Sequence, residues 1–353
     1  MLIFILKRFF WALVLLWAIT LITFVVFFML PNPSRNAQRN EQGFSNGLQT
    51  QYNAHGSFPH QYVVFITHIV RGDLGHSVRS SKTVVQTIQE TLPITASLVI
   101  GGMVLCIMMA VPIGLISALR PRSLLDRGLM LWVLILVSCQ PFWLGLMLSY
   151  FLGVRAHAFP VSGYCTFGHH AEYSNSYFCS GPKYWAYHLF LPWLTFAALF
   201  AAFYARMIRA SLLEQLNEDY VRTARAKGAS QRRVVRVHVF RNALLPVITM
   251  LGMDVGVAFA GALFIETAFN LPGMGQLLVH GIANQDIPVL LGIVLTVSLA
   301  VVIANLAVDI LYSVLDPRIR LYGPSDSVRV SRSSVRELRT PQQQQTPETA
   351  SPT

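Results

Sequence analysis

The sequence predicts an all-α fold, that of a polytopic membrane protein with six transmembrane helices, and three observations lead to this class. Of the 353 residues, 54% are hydrophobic and only 12% are charged, which is about half the charged fraction usual in soluble domains. Six stretches approach the roughly 20 apolar residues that a helix needs to cross the hydrocarbon core. Basic residues are distributed unevenly between the segments that join these stretches. An ordinary soluble enzyme and a largely disordered chain are therefore excluded.

The six predicted spans are long apolar runs with few polar residues. In chain order they are 9–30, 94–119, 128–153, 189–205, 243–265 and 287–308. The first is longer than the apolar core of a signal peptide, about 7–15 residues, and no small-residue cleavage site follows it, so we interpret it as a retained span. The fourth is short, but Tyr184, Trp185 and Tyr187 extend it as an interfacial aromatic belt.

Lys and Arg are concentrated in alternate connecting segments. The two termini and segments 120–127 and 206–242 together hold 20 of them, whereas 31–93, 154–188 and 266–286 together hold seven. Positively charged segments stay in the cytoplasm, so the sequence predicts a multi-pass protein of the cytoplasmic (inner) membrane with both termini cytoplasmic. Topology thereby explains the net charge of +11, and no nucleic-acid partner is expected.

These segments divide the chain into four parts. Residues 1–30 form the cytoplasmic N-terminus and the first transmembrane helix, 31–93 an extracytoplasmic segment, 94–322 the core domain with five transmembrane helices, and 323–353 a polar tail that we expect to be disordered. Within the extracytoplasmic segment, 61–70 suits a short helix. The run 80–83 is placed to cap an amphipathic helix before the second span.

The long cytoplasmic loop, 206–242, is predicted to form two short helices. Asn217 is placed to cap the first, and Glu218 and Asp219 fall in its first turn, where acidic side chains suit the helix dipole. Gly228 is expected to end this helix at the C′ position. Ser230 follows as the cap of a second, strongly basic helix at the membrane surface.

A motif in this loop is the most informative feature of the sequence. Thr223-Ala224, Gly228 and Leu245-Pro246 occur in that order. They resemble the cytoplasmic signature loop of binding-protein-dependent ABC importer permeases, in which Glu/Thr-Ala-x-x-x-Gly precedes a Leu-Pro pair. Thr223 stands where Glu is commoner, as is usual in the peptide branch of that family.

Further motifs resemble the oligopeptide/dipeptide/nickel branch of the family. They are 72–77, 141–145, 159–163, 266–275 and 309–318. The resemblance runs in order from residue 1 to about residue 322 and points to the first of two permease subunits, with the type I ABC importer permease fold. Two external regions depart from the family pattern, namely 29–33, which lacks the usual Pro-Gly-Asp-Pro, and 154–188, which is expanded.

The resemblance implies a function and a set of partners. The chain would form half of the translocation pathway of an ATP-driven importer for oligopeptides or dipeptides, although nickel and other small solutes remain open. The implied partners are a second permease subunit in a heterodimer, two cytoplasmic ATPase subunits that bind ATP and Mg, an extracytoplasmic peptide-binding protein, and membrane lipid. No Gly is followed by Lys, so the chain lacks a P-loop. We expect no cofactor, metal or catalytic activity in this subunit.

The coupling helix that would dock into a groove of the ATPase is the first site candidate. Its residues are Glu218, Asp219, Arg222, Thr223, Ala224, Arg225, Lys227 and Gly228. Ala224 and Gly228 are four residues apart, which predicts one face on which a partner approaches closely. Arg222 and Arg225 are available to acidic groups of the partner. The alternative is a basic loop that only fixes topology, and the motif favours coupling.

The pathway candidates are Asp254, Glu266, Pro272 and Gly273. Asp254 is the only acid well inside a predicted span, and such acids are functional candidates by default, although a hydrogen bond to a neighbouring helix explains it equally well. By resemblance, Glu266 lies in a turn near the gate, and 266–286 is a candidate re-entrant loop. A secondary transporter with Asp254 as ion or proton site is the alternative function, and a membrane scaffold without transport is a third.

Cys165 and Cys179 lie in the expanded external loop, 14 residues apart. In an oxidising compartment such a pair can form a disulfide, which is the prediction. A metal site with His169 and His170 is the less favoured alternative, because its spacing matches no usual zinc pattern. The other two cysteines fall within spans and are expected to be packed thiols.

Overall fold

The computed structural model describes residues 2–26, 58–77, 80, 82–167, 179 and 181–315. Apart from one isolated bridge between His76 and Thr83, the regular structure of these residues is helical. The α-helices are α1 (Leu2–Phe24), α2 (Phe58–Val70), α3 (Val84–Leu119), α4 (Leu124–Ser138), α5 (Pro141–Leu148), α6 (Pro182–Leu216), α7 (Asp219–Ala226), α8 (Gln231–Arg233), α9 (Phe240–Ala243), α10 (Leu245–Met253), α11 (Val255–Phe269), α12 (Met274–Ala283) and α13 (Ile287–Leu315), with π-helical segments π1 (Ser149–Arg155) and π2 (Val234–Val239). The predicted tail, 323–353, lies outside the described residues.

Several helices are long and apolar enough to cross a membrane. Five single stretches qualify within the described residues, and the number rises to seven if each of two bent helix pairs counts as one span. The stretches are Leu6–Phe24, Val84–Leu119, Pro182–Leu216, Gln231–Met253 and Ile287–Ala307, and the bent pairs are α4 with α5 and π1, and α11 with α12. The prediction of an all-α polytopic membrane protein is confirmed.

The third predicted span, 128–153, is not a single straight helix. Its two halves meet at an angle of 108° between Ser138 and Pro141. Proline disfavours the helical conformation in the residue before it, and Gln140 adopts an extended conformation there. The Oε1 atom of Gln140 accepts a hydrogen bond from the backbone N–H of Trp143 at 3.1 Å, so it caps the new helix. The prediction of one uninterrupted span was wrong.

The fifth predicted span, 243–265, also has different bounds. Helical structure begins at Gln231 and reaches Met253 through π2, with a turn at Leu244. The predicted second surface helix of the loop is therefore continuous with the membrane span, since no helix breaker separates them. Pro246 does not interrupt it, because it lies in the first turn of α10, where a missing N–H is tolerated.

The helix before the second span begins where the sequence predicts. Thr83 caps α3 in a reciprocal capping box with Gln86. Once started, α3 continues without a break to Leu119 and contains Pro93 and Pro112. The expected amphipathic helix and the second span are therefore one helix of 36 residues.

The centre of the fold is the contact between α3 and α6, and small residues make it close. A Cβ atom on Gly102 would lie 2.6 Å from the ring of Phe196, and one on Gly114 would lie 2.7 Å from Ile208. Five alanines of α6 are buried, namely Ala197, Ala198, Ala201, Ala202 and Ala205. Small residues at helix interfaces let backbones approach in membranes, where van der Waals contact replaces the hydrophobic effect.

The N-terminal helices form a second group with α13. The ring of Phe24 on α1 lies 5.4 Å from the rings of both Tyr62 and Phe65 on α2, and Leu291 of α13 completes the buried cluster. The hydroxyl groups of Thr20 and Tyr62 are hydrogen-bonded at 3.0 Å. These contacts hold α2 against the first and last spans.

Candidate functional site

The predicted coupling helix exists as α7, but its start differs from the prediction. Glu218 is the N-cap residue, with extended backbone angles, and its side chain makes no capping hydrogen bond. Asn217 is the C-cap residue of the preceding helix, where its Nδ2 group donates to the carbonyl of Leu213 at 2.9 Å. The prediction that Asn217 caps α7 was wrong, because α6 extends to Leu216 and Asn217 completes that helix.

Gly228 ends α7 as predicted. Its φ of +80° lies in the left-handed region that favours glycine. The N–H of Gly228 donates to the carbonyl of Arg225 at 2.9 Å, and the N–H of Ala229 donates to that of Ala224 at 3.1 Å. This pair of hydrogen bonds is the Schellman motif, which satisfies the last carbonyl groups of a helix. A side chain at Gly228 would therefore strain the backbone, although an added Cβ atom would meet no other atom within 4 Å.

The two faces of α7 have opposite surroundings. Val221 is fully buried and belongs to the hydrophobic cluster formed with α3 and α6, against which Ala224 also packs. The exposed residues are Glu218, Asp219, Tyr220, Arg222, Thr223, Arg225, Ala226, Lys227 and Gly228. The predicted shared face of Ala224 and Gly228 is not present, because Ala224 points toward this chain's own core and Gly228 lies beyond the last helical residue. The free face is instead mostly polar, with three basic residues, two acidic residues and Tyr220.

A buried ion pair next to this helix was not predicted from the sequence. The guanidinium of Arg209 on α6 donates to both carboxylate oxygens of Asp126 on α4, at 2.8 Å each. Asp126 also accepts hydrogen bonds from the hydroxyl of Ser117 and from the backbone N–H of Arg122. Its side chain is 5% exposed and that of Arg209 is 28% exposed. The pair therefore ties together the ends of α3, α4 and α6 on the side where α7 lies.

One sequence signal could have indicated this pair. Asp126 is the only acid in the segment between the second and third predicted spans, and an acid at a membrane boundary requires a partner. Its partner, however, is 83 positions away. Membrane topology already explains the basic residues around it, so the sequence alone does not identify Arg209 as the partner of Asp126.

Asp254 lies between α10 and α11 and is half-buried. Its Oδ2 atom accepts a hydrogen bond from the hydroxyl of Tyr204 on α6 at 2.6 Å, and Tyr204 is 1% exposed. Of the two explanations that the sequence left open, this contact favours the hydrogen bond to a neighbouring helix. Asp254 therefore links α6 to the break in the fifth span.

Glu266 is fully buried on α11 and faces the start of α12. Its Oε2 atom accepts from the backbone N–H of Gly275 at 2.6 Å and from that of Gln276 at 3.4 Å. A carboxylate at this position satisfies N–H groups that lack partners at a helix start and suits the helix dipole. Glu266 thereby fixes the bend of 77° between α11 and α12.

Glycine is required at this bend because the backbone approaches the carboxylate closely. A Cβ on Gly273 would lie 2.4 Å from the Glu266 carboxylate, and one on Gly275 would lie 2.6 Å from the Cα of Leu263. Pro272 is half-buried beside them. The hydroxyl oxygen of Thr95 on α3 accepts from the N–H of Met274 at 2.8 Å, which attaches the bend to α3.

The turn after α2 contacts the start of α13. Asp73 accepts from the backbone N–H of Gly75 at 3.0 Å and contacts the His68 ring at 3.0 Å. The N–H of Gly75, followed by the His68 ring, lowers the pKa of the Asp73 carboxyl below its ordinary value. Ser77 donates to the buried Asp286, which immediately precedes α13.

Cys165 and Cys179 are joined in a disulfide, with Cα atoms 5.3 Å apart. It connects the segment after π1 to the residues just before α6. The Nδ1 atom of His188 lies 3.1 Å from the sulfur of Cys165. His169 and His170, the other residues considered for a metal site, lie outside the described residues. Cys106 is buried and free, and Cys139 is half-buried and free.

Comparison with known proteins gives the same family for both parts of the chain. The family described as binding-protein-dependent transport system inner membrane component matches residues 110–321. The corresponding N-terminal family matches residues 1–99. The two matched ranges meet within α3 and together account for most of the chain.

Curated relatives are similar over most of the chain. The dipeptide transport system permease protein DppB of Escherichia coli K12 is 34% identical over 318 residues, which cover 86% of this chain and 94% of the relative. The oligopeptide transport system permease protein AppB of Bacillus subtilis 168 is 37% identical over 260 residues, which cover 73% and 79%.

A solved structure shares the fold. A chain of the MetNI methionine ABC transporter, in an inward-facing conformation, superposes with a TM-score of 0.51 at 17% identity and covers 65% of this chain and 97% of its own length. The predicted type I ABC importer permease fold is therefore confirmed. Because the family matches account for most of the sequence, this multi-pass inner-membrane protein belongs to the binding-protein-dependent transport system inner membrane components, the permease family of ABC importers.

Proposed function

We propose that this permease forms half of the pathway for oligopeptides or dipeptides delivered by an extracytoplasmic binding protein. The relatives DppB and AppB are named for dipeptide and oligopeptide transport, and their similarity extends over most of the chain. In this proposal a second permease completes the pathway, and two cytoplasmic ATPases bind ATP and Mg. The termini and the segment with α7 face the cytoplasm, in agreement with the distribution of Lys and Arg.

The observation that carries the proposal is the arrangement of α7. Val221 anchors one face in the hydrophobic cluster that contains residues of α3, α6 and π2, and the opposite face is exposed and carries three basic residues. A helix held in this way transmits the displacement of a partner to the spans. The alternative, a basic loop that only fixes topology, would need the charges of Arg222, Arg225 and Lys227 but not the buried anchor. Arg222 has only an exposed contact with Asp219 at 3.6 Å, which a partner carboxylate can replace.

The movement would reach the spans through the ion pair of Arg209 and Asp126. Arg209 lies on the last turns of α6, three residues before the buried Leu212 and close to the start of α7. Because Asp126 receives both nitrogen donors of Arg209, α4 cannot shift without α6. ATP binding would close the ATPase dimer. α7 would then move the ends of α3, α4 and α6 as one unit, and this movement would open the pathway outward. Hydrolysis would return it inward.

The external end of the pathway is the proposed gate. The bend at Glu266 and Gly273 is held against α3 by Thr95, so a movement of α3 displaces the bend. Irregular backbone at membrane depth must be buried in protein or line a cavity, and the buried Leu271 and Gly273 meet that requirement. Asp254, hydrogen-bonded to Tyr204, acts in this account as a helix contact and not as an ion site.

The test compares two glycines with the same backbone conformation. Gly228 has φ +80° and Gly72 has φ +77°, and a Cβ atom added at either position would meet no other atom within 4 Å. Valine at either position adopts left-handed angles at a cost of about 1–2 kcal/mol. We expect Gly228→Val to abolish ATP-dependent peptide uptake by the reconstituted complete transporter, because the end of the coupling helix changes. Gly72→Val, which carries the same strain in an external turn, retains uptake.

The same preparations distinguish coupling from cargo. If Gly228→Val transports at the wild-type rate, α7 has no coupling role. If the wild-type complex hydrolyses ATP but takes up neither dipeptides nor oligopeptides, the coupling proposal stands and the peptide assignment is wrong. Uptake that continues without ATP and stops when the ion gradient is dissipated would indicate a secondary transporter.

A further inference from the structure

A cleft lies between the end of α3 and the helical segment that follows α7. It encloses about 390 Å³, within the range of about 300–1,000 Å³ typical of small-molecule sites. Leu115 and Leu119 of α3 form one wall, and Val235 and Phe240 form the other. No residue of the translocation pathway or of the disulfide contributes to it.

Two arginines stand at the rim of this cleft. Arg232 and Arg236 both line it and are both exposed. They are four positions apart, so they lie on the same side of the helical segment. Neither has a salt-bridge partner among the residues whose side chains the structure describes. The segment 231–243 contains no acidic residue, so the cleft combines an apolar floor with an uncompensated positive rim.

The position of the cleft relative to the membrane selects its ligand. Leu115 and Leu119 are in the last two turns of a membrane-spanning helix, and Leu119 is 43% exposed. Arg120 follows immediately at the helix end. Apolar surface that continues into a pair of free arginines at a membrane boundary matches a phospholipid, whose acyl chain meets the wall while its phosphate meets the guanidinium groups.

We propose that this cleft binds one anionic phospholipid. Arg232 and Arg236 hold the phosphate, and Leu115, Leu119 and Phe240 hold the upper part of an acyl chain. π2, which contributes Val235 and Arg236, supports this assignment because π-helical turns occur frequently at functional sites. An acidic segment of the ATPase is the competing occupant. It would use the arginines but would not use the apolar wall of α3.

The site has a consequence beyond the proposed function. It lies on the segment that joins α7 to the fifth span, since Arg232 is only four residues beyond Gly228. A lipid bound there would hold this segment at the membrane surface while α7 follows the ATPase. Binding requires that α3 is a membrane span and that its end faces anionic lipid, but it does not depend on the transported cargo.

The test is native mass spectrometry of the complete purified transporter titrated with phosphatidylglycerol or phosphatidylcholine. The double variant Arg232→Gln/Arg236→Gln should bind phosphatidylglycerol about 10- to 30-fold more weakly, as expected for two basic residues at a membrane surface. Arg233→Gln is the matched control. Arg233 is exposed on the same segment but does not line the cleft, so this variant should bind as the wild type does.

Two further arms identify the ligand. Leu119→Ser should weaken phosphatidylglycerol binding, and glycerol phosphate without acyl chains should not displace the lipid. Equal displacement by glycerol phosphate would overturn the proposal in favour of a simple anion site. Unchanged lipid binding by the double variant would overturn it as well, and loss of ATPase subunits from the same complex would then identify a protein contact. Weaker lipid binding with normal uptake would support the site and would separate it from the transport mechanism.

Discussion

Replacement of Asp126 by Asn is the sharpest test of how the spans are held together near α7. The substitution keeps the size of the side chain but removes the charge that faces Arg209. Asp126 is 5% exposed and Arg209 is 28% exposed, so the guanidinium would remain largely buried without a counterion. Removing one partner of a buried pair costs about 3–5 kcal/mol, and we expect a loss of this size in the free energy of unfolding.

The assay is equilibrium unfolding of the purified protein in mixed micelles, with Asp219→Asn as the matched control. Asp219 also contacts an arginine, but at 3.6 Å and with its side chain 96% exposed, so its loss should produce no measurable change. The double variant Asp126→Leu/Arg209→Met should recover most of the lost stability, because an apolar pair leaves no buried charge. Equal effects of Asp126→Asn and Asp219→Asn would refute the structural role of the pair.

Two further predictions concern the bend between α11 and α12 and the disulfide. Gly275→Ala should destabilise the protein by about 1–3 kcal/mol, because its Cβ would meet the Leu263 backbone at 2.6 Å. Gly261→Ala on the preceding helix has open space and should be neutral. Equilibrium unfolding in mixed micelles measures both variants, and similar losses of stability would contradict the close approach at the bend. In protein isolated from membranes and unfolded without reductant, a thiol reagent should modify only Cys106 and Cys139. After reduction it should modify all four cysteines. Four modified cysteines without reductant would show that Cys165 and Cys179 are not joined.

Local signals in the sequence predicted the features that neighbouring residues determine. The capping of α3 by Thr83, the helix predicted over 61–70 and the end of α7 at Gly228 all depend on side chains within a few positions of each other. Apolar length and the distribution of charge sufficed for the membrane class. The prediction that Asn217 caps α7 was wrong because it depended on where α6 ends.

Features that depend on distant contacts were not predictable. Arg209 and Asp126 are 83 positions apart, and Thr95 and Met274 are 179 apart. The orientation of Ala224 followed from the core of α3 and α6, which the helical spacing alone does not reveal. In the sequence, 128–153 is a single apolar run. The bend of 108° there depends on Gln140 and Pro141 together, and Pro141 was noted only as part of a family motif.

Site-specific cross-linking from α7 tests the central claim most directly. A cysteine introduced at the exposed Arg225, in a background where Cys106 and Cys139 are replaced by serine, should form a cross-link to an ATPase subunit in native membranes. The same cysteine should resist a membrane-impermeant thiol reagent added from outside. A cysteine at the exposed Val154, in the segment predicted to be external, should react and should not cross-link. Reaction of the Arg225→Cys variant from outside, with no ATPase adduct, would contradict the account.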